Sequence, residues 1–207
     1  MIDSLLPGIG VAPREPVHLM REYQEREADY LVSLAGRGED PELPNNQSDF
    51  LRFLRSTDGT GRGPEGRAWC AAARSHAGTR VALDMMVERA YSPHRGARKL
   101  TRNIAAAGEE VGCGGWIVRP GEVPGRVLLP KGAALCRRTG PVWRGHFMTV
   151  VRHDWDVDIV RVVEGNKNNR VSRFGDRYAV IGTRELGGDE WRREIYGASA
   201  LWIPEQP

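Results

Sequence analysis

The sequence predicts an α+β fold in which N-terminal helices pack on an antiparallel β-sheet. Between residues 16 and 107, apolar side chains recur at steps of three and four, which is typical of amphipathic helices. After Gly108 the chain changes to short runs of β-branched and aromatic residues separated by turn formers. Because the helices come first and the strands later, the elements do not alternate as they do in a parallel sheet, and the strands are expected to pair antiparallel.

The predicted helices lie in the first half of the chain. We divide the chain into an N-terminal extension with one helix, residues 1–44, and a main domain, residues 45–207. Helices are predicted over residues 16–34, from a capping region at 46–49 through residue 54, from Cys70 to a break near residues 78–79, and over 95–107, while residues 81–91 either continue the third helix or form another buried element.

The predicted strands all follow Gly112, where a glycine-rich turn begins. Alternation is clearest in the valine-rich run that ends at Val163, and the next residues are rich in turn formers. Strands are predicted over residues 116–119, 127–129, 133–137, 147–152, 158–163, 178–182 and 199–203.

Composition limits the classes of function. The chain has 207 residues, 40% of them hydrophobic and 28% charged, and a net charge of +3. The basic residues are spread along the chain, without the concentrated stripe of a nucleic-acid-binding surface. No apolar run reaches the ~18 residues of a membrane span, and the N-terminus lacks the features of a secretory signal peptide. The cysteine and histidine spacings match no zinc site, so we do not expect a structural zinc ion.

Cys70 is the first candidate for chemistry. It follows a loop rich in glycine, residues 57–66, and opens a run of alanines that favours helix. A cysteine at a helix N-terminus faces unpaired N–H groups and the positive end of the macrodipole, and both favour the thiolate. Buried, unreactive cysteine is also common, and we interpret Cys113 and Cys136 in that way. The role of Cys70 therefore depends on partners elsewhere in the chain.

A base and an orienting group are predicted on two neighbouring strands. His146 heads one strand, and Glu164 follows the next. A hairpin places the start of its first strand beside the end of its second, so His146 and Glu164 are expected to meet. With Cys70 they supply the nucleophile, base and orienter that acyl transfer through a thioester needs. Asn166 is the alternative to Glu164 as the third member.

Other side chains are expected around these three. The backbone N–H of Cys70 is the expected oxyanion donor, with Asn46 and Asp58 as candidate side-chain donors. Trp69 and Trp143 are candidates for walling a substrate-binding groove, because aromatic rings bind amphipathic ligands well. The remaining histidines have no partner pattern and are interpreted as surface or helix residues: His18, His76, His94 and His153.

The order of these motifs resembles the CHAP-domain cysteine amidohydrolases and peptidases of the NlpC/P60 superfamily. Residues 69–72 read W-C-A-A, Gly145 and His146 head a strand, and an E-x-N triplet begins at Glu164. Residues 130–136 occupy the place of the strand that precedes the histidine in that family. The resemblance covers residues 45–203 and implies a papain-like fold.

The resemblance also implies a function, namely cleavage of an amide in bacterial peptidoglycan, by an endopeptidase or amidase without a metal or organic cofactor. Made in the cytoplasm without a signal peptide, such a protein is expected to act at the cell wall after phage lysis, virion delivery or dedicated secretion, with phage or secretion-system partners. Two alternatives stay open. One is a virion or tail component that uses the fold for binding, and the other is a toxin-like effector that acts on protein amides.

Overall fold

The computed structural model describes residues 16–38, 48–57, 69–139, 145–167 and 180–205. These residues form five helices and six strands, so the predicted α+β class is confirmed. In chain order the elements are α1 (Pro16–Ser33), α2 (Asp49–Thr57), α3 (Cys70–Met85), α4 (Ala97–Val111), β1 (Gly115–Val118), β2 (Ala134–Arg138), β3 (Gly145–Asp154), β4 (Ile159–Lys167), β5 (Val180–Gly187), α5 (Gly188–Glu194) and β6 (Ile195–Ala200).

The six strands form one sheet in the order β1-β6-β2-β3-β4-β5, and every neighbouring pair is antiparallel, as predicted. The long strands β3 and β4 form a central hairpin in which Thr149 lies opposite Val163. Its neighbour β2 places Arg137 opposite His146. The start of β3 therefore lies between the end of β2 and the end of β4.

Alternate residues of β3 serve two different cores, as the pleat of a strand requires. Phe147 packs in a cluster with Cys70 of α3 and Leu100 of α4. Val150 packs instead with Leu186 of β5 and Trp191 of α5. The sheet is thus buried by helices on both faces, and the cysteine helix lies on the face that Phe147 covers.

Helix α1 is built into the same core as the later elements. The side chain of Gln24 is fully buried and accepts a hydrogen bond from the backbone N–H of Leu201 at 2.7 Å. It also donates to the carbonyl of Lys131 at 2.8 Å. The predicted boundary between residues 44 and 45 lies outside the described residues, so the division into extension and domain stays a prediction.

Helix α3 does not break near residues 78–79, which corrects the prediction there. Gly78 is a weak helix former, but it lies where two other elements approach the helix closely. A Cβ at this position would stand 2.8 Å from the hydroxyl of Tyr91 and 2.9 Å from Oε1 of Glu27. The glycine is therefore explained by packing, and the helix continues to Met85.

One other prediction about local structure is wrong, and one helix was not predicted. Residues 127–129 form no strand, and the N–H of Leu129 donates to the His153 ring instead. Helix α5 was not predicted, because two glycines before a seven-residue helix read as a turn. The capping prediction at residues 46–49 is confirmed at Ser48, whose hydroxyl accepts the N–H of Leu51 at 3.1 Å. None of the described helices is both long and apolar enough to cross a membrane.

Candidate active site

Cys70 is the first residue of α3, as the sequence predicts. No side chain caps the helix at Trp69, and Cys70 is 5% exposed. The N–H of Phe147, on β3, points at the sulfur with an N···Sγ distance of 3.4 Å. The thiol thus receives a hydrogen bond from the sheet at the positive end of a helix, and both interactions favour its ionised form.

His146 lies next to Phe147 at the start of β3 and joins Cys70 to an acid. Its Nε2 is 2.6 Å from Oε2 of Glu164, on β4. Thr149 pairs with Val163, so the contact between His146 and Glu164 runs diagonally across the hairpin. Because Nε2 is engaged by the carboxylate, Nδ1 is the ring nitrogen left for exchange of a proton with Cys70.

The two reacting groups perturb each other's ionisation. Burial raises the pKa of the Cys70 thiol, but the charge of His146 and the hydrogen bonds from His146 and from the N–H of Phe147 more than offset it, so this pKa is below the usual value. Burial lowers the pKa of His146, whereas Cys70 and Glu164 raise it to about 10. Opposite shifts of this kind favour a thiolate–imidazolium pair at neutral pH.

Arg184 belongs to this cluster and was not predicted. It lies on β5 opposite Val162, and its Nε is 3.2 Å from Oε1 of Glu164 in an ion pair. Its Nη2 also donates to Sδ of Met148 at 3.4 Å. The two oxygens of Glu164 are therefore divided between an imidazole and a guanidinium. No sequence signal indicated Arg184, because it comes from a strand whose register was not predictable from the chain.

The other predicted site residues fall into three groups. Asn166 has a φ of 61°, a conformation that Asn tolerates, where the pairing of β4 with β5 shifts register. Trp69 is only 1% exposed and packs against Phe50 and Ala73, so its ring is a core residue and does not wall a groove. The remaining candidates lie outside the described residues: Asn46, Asp58 and Trp143.

Two histidines interpreted as surface or helix residues prove to have buried side chains. His76 is fully buried, with the hydroxyl of Thr57 2.5 Å from Nδ1 and that of Tyr30 2.9 Å from Nε2. The ring of His153 bonds both the N–H of Leu129 and a carboxylate oxygen of Asp158. Their partners are on other elements of the fold, so sequence alone gave no sign of them.

The other cysteines contrast with Cys70. Cys136 is fully buried in the same cluster, where burial and the nearby Cys70 raise its pKa to about 12. Burial also raises the pKa of Cys113. Among the described residues, no group of three or more His, Cys, Asp or Glu is arranged to hold a metal ion. Of the thiols in the chain, only Cys70 has the lowered pKa of a nucleophile.

Together, the site and the fold define an α+β protein with a Cys-His-Glu cluster between a helix N-terminus and the head of a strand. Comparison of the chain with protein-family models, with curated proteins and with solved structures gives no significant match.

Proposed function

We propose that this protein is a cysteine-dependent amide hydrolase that cleaves an amide of bacterial peptidoglycan. The observation that carries the proposal is the position of His146, bonded to Glu164 at 2.6 Å and coupled to the thiol of Cys70. An inert cysteine in a protein core requires no imidazole beside it and no carboxylate bonded to that imidazole. The nucleophile, the base and the orienter are the three roles that amide hydrolysis through a thioester requires.

In the proposed reaction, the Cys70 thiolate attacks the carbonyl carbon of the scissile amide. The tetrahedral oxyanion accepts a hydrogen bond from the backbone N–H of Cys70. This N–H has no intrahelical partner, because Cys70 is the first residue of α3. His146 gives its proton to the leaving amine, and a thioester remains on Cys70. A water molecule, losing its proton to His146, then attacks the thioester. The acid is released and Cys70 leaves as the thiolate, which restores the thiolate–imidazolium pair.

Peptidoglycan as the substrate class rests on the motif resemblance. The W-C-A-A run at residues 69–72, the Gly145–His146 strand head and the E-x-N triplet at Glu164 resemble the CHAP and NlpC/P60 enzymes. A cysteine helix packed against an antiparallel sheet agrees with the papain-like fold that those enzymes have. Action at the cell wall, after lysis, virion delivery or secretion, is part of this proposal.

The test is digestion of purified sacculi by the wild-type protein and by Cys70→Ala, with the soluble products identified by mass spectrometry. We expect muropeptides from the wild type and none from Cys70→Ala, and the products also identify the bond. Cys113→Ala is the matched control and should digest sacculi normally, because Cys113 follows the C-terminal end of α4, contacts the carbonyl of Leu201 and has a raised pKa. Equal release by wild type and Cys70→Ala would show that the thiol is not the nucleophile.

A further inference from the structure

Two elements next to the head of β3, where the proposed reaction takes place, carry arginines. Arg137 and Arg138 lie on β2 opposite His146 and Gly145. Arg98 and Arg102 lie on the first turns of α4 and flank the ring of Tyr196. Both elements approach Gly145, the residue before the base, since Arg138 pairs with it and the stem of Arg98 lies beside it.

Arg98 approaches the site most closely. A Cβ at Gly145 would stand 3.3 Å from Cγ of Arg98 and 3.0 Å from the sulfur of Cys136. Gly145 is the residue immediately before His146, and Cys136 interacts electrostatically with both Cys70 and Arg98. The glycine thus leaves room for the arginine stem to lie beside the strand head, on the Cys136 side of the nucleophile.

The charge of Arg98 is not balanced by a carboxylate among the described residues. Its guanidinium lies over the ring of Tyr196, with Cζ 4.7 Å from the ring centre, and its buried Nε has no hydrogen-bond partner. Arg102 donates through two of its nitrogens to the hydroxyl of Tyr196, at 2.7 and 3.0 Å. Arg137, in contrast, is paired with Glu194. Buried polar groups in folded proteins are rarely without a hydrogen-bond partner, so Nε of Arg98 is available to bind one.

The sequence around Arg98 does not compensate its positive charge. The first turn of α4 holds Arg98 and Lys99 and no acidic residue, although cations there oppose the helix macrodipole. Departures from such rules of local stability are expected at functional sites.

We propose that Arg98, supported by Arg102, binds a free carboxylate of the substrate next to the scissile amide. The inference rests on the proposed function and narrows its substrate class to peptide amides that carry a carboxylate close to the cleaved bond. A planar guanidinium already stacked on an aromatic ring is preorganised for bidentate binding of a carboxylate. The same cation repels amine-bearing ligands and so contributes to specificity.

The test compares two acetylated peptides, a peptidoglycan stem tetrapeptide with free carboxylates and its fully amidated counterpart. Their binding to Cys70→Ala is measured by calorimetry, and their hydrolysis by the wild-type protein is measured as kcat and KM. We expect the free acid to bind about 10- to 100-fold more tightly than the amide, a factor typical of a hydrogen bond to a charged group. Arg98→Gln, in the same background, should remove that factor for the acid and leave the amide unchanged.

Two further variants make the result specific to Arg98. Arg98→Lys should keep part of the preference, because an ammonium keeps the charge without the planar fork. Arg193→Gln removes an exposed arginine of α5 and should leave both affinities unchanged. Thermal unfolding shows whether Arg98→Gln is folded. If it is not, Arg102→Gln tests the same preference for the free acid.

The outcomes separate this inference from the proposed function. Discrimination of acid from amide by Cys70→Ala, lost in Arg98→Gln, supports the carboxylate site even if the wild type hydrolyses neither peptide. Equal kcat/KM for acid and amide in the wild type, unchanged by Arg98→Gln, overturns the carboxylate site while leaving the hydrolase proposal intact.

Discussion

Replacing Glu164 with Gln is expected to slow amide hydrolysis by about 10²- to 10⁴-fold, the range in which an orienting acid or a general base contributes. The carboxylate holds Nε2 of His146 at 2.6 Å and stabilises the imidazolium. An amide of the same shape has no charge, and if its NH₂ group faces Nε2 it holds the imidazole in the wrong tautomer.

The pH dependence of alkylation by iodoacetamide provides a second readout for Glu164→Gln. In the wild type, the pKa of Cys70 is lowered and that of His146 is raised to about 10, so alkylation should rise as pH passes the lowered thiol pKa and then stay level through neutral pH. Without the charge of Glu164, the pKa of His146 falls, the thiolate loses its counter-ion, and the rise moves to higher pH.

Glu185→Gln is the matched control for this prediction. Glu185 lies on β5 next to Arg184 in sequence, but it is half exposed and pairs with Arg161 on the surface. Its replacement should change neither the turnover nor the pH profile. A Glu164→Gln protein that kept both the wild-type turnover and the wild-type profile would remove Glu164 from the mechanism.

Replacing Arg74 with Met is expected to lower the free energy of unfolding by about 3–5 kcal/mol, the cost of breaking a buried ion pair. Arg74 lies one turn after Cys70 on α3 and is 1% exposed, and its Nη2 donates to Oε2 of Glu27 at 2.5 Å. The guanidinium also donates to the carbonyl of Gly132 and to the hydroxyl of Thr149. Its removal leaves the Glu27 carboxylate buried without a counter-ion.

The cost of Arg74→Met should depend on pH. Burial already raises the pKa of Glu27, although Arg74 and the hydroxyl of Tyr91 oppose it. Without Arg74 the pKa of Glu27 rises further above its unfolded value, so the folded state binds the extra proton more tightly. The stability of the variant is therefore retained below the unfolded pKa of Glu27 and is lost as pH rises through the raised folded pKa.

Urea unfolding across pH measures this prediction, and the chain offers two comparisons. Arg80→Met removes a half-exposed arginine of the same helix, 3.9 Å from Asp84, and should change stability by at most about 0.5 kcal/mol. The double variant Glu27→Leu with Arg74→Met removes both charges and should lose less than Arg74→Met alone. Near-wild-type stability of Arg74→Met at neutral pH would contradict the structural role assigned to the pair.

The sequence predicted the site better than its surroundings, and the reason is locality. The helix start at Cys70 and the strand head at His146 each have a local signal, and one hairpin brings His146 and Glu164 together. Glu164 was predicted to follow its strand, but β4 continues through it to Lys167. Glu27 and Arg74 are 47 residues apart and carry no signal, since charged residues are seldom buried unless paired. Only the packing of α1 on α3 makes them partners.

The same reasoning explains what the sequence did not reveal at Gly78, His76 and Trp69. Glycine normally indicates the end of a helix, but Gly78 lies inside α3 and leaves room for the side chains of Tyr91 and Glu27. The neighbouring sequence gives no sign of these two contacts. His76 is satisfied by hydroxyls from two other helices. Trp69 packs on Gly165, where a Cβ would meet its ring. In each case a contact distant in sequence decided the environment of the side chain.

The most direct test of the central claim is to observe the thioester on Cys70. The wild-type protein is mixed with the stem tetrapeptide, the reaction is quenched with acid within its first turnovers, and the mass of the peptide that contains Cys70 is measured. The account predicts an added mass equal to the acyl half of the substrate, removed by hydroxylamine and absent from Cys70→Ala. Product formed at an equal rate by Cys70→Ala, with Cys70 of the wild type unmodified, would contradict it.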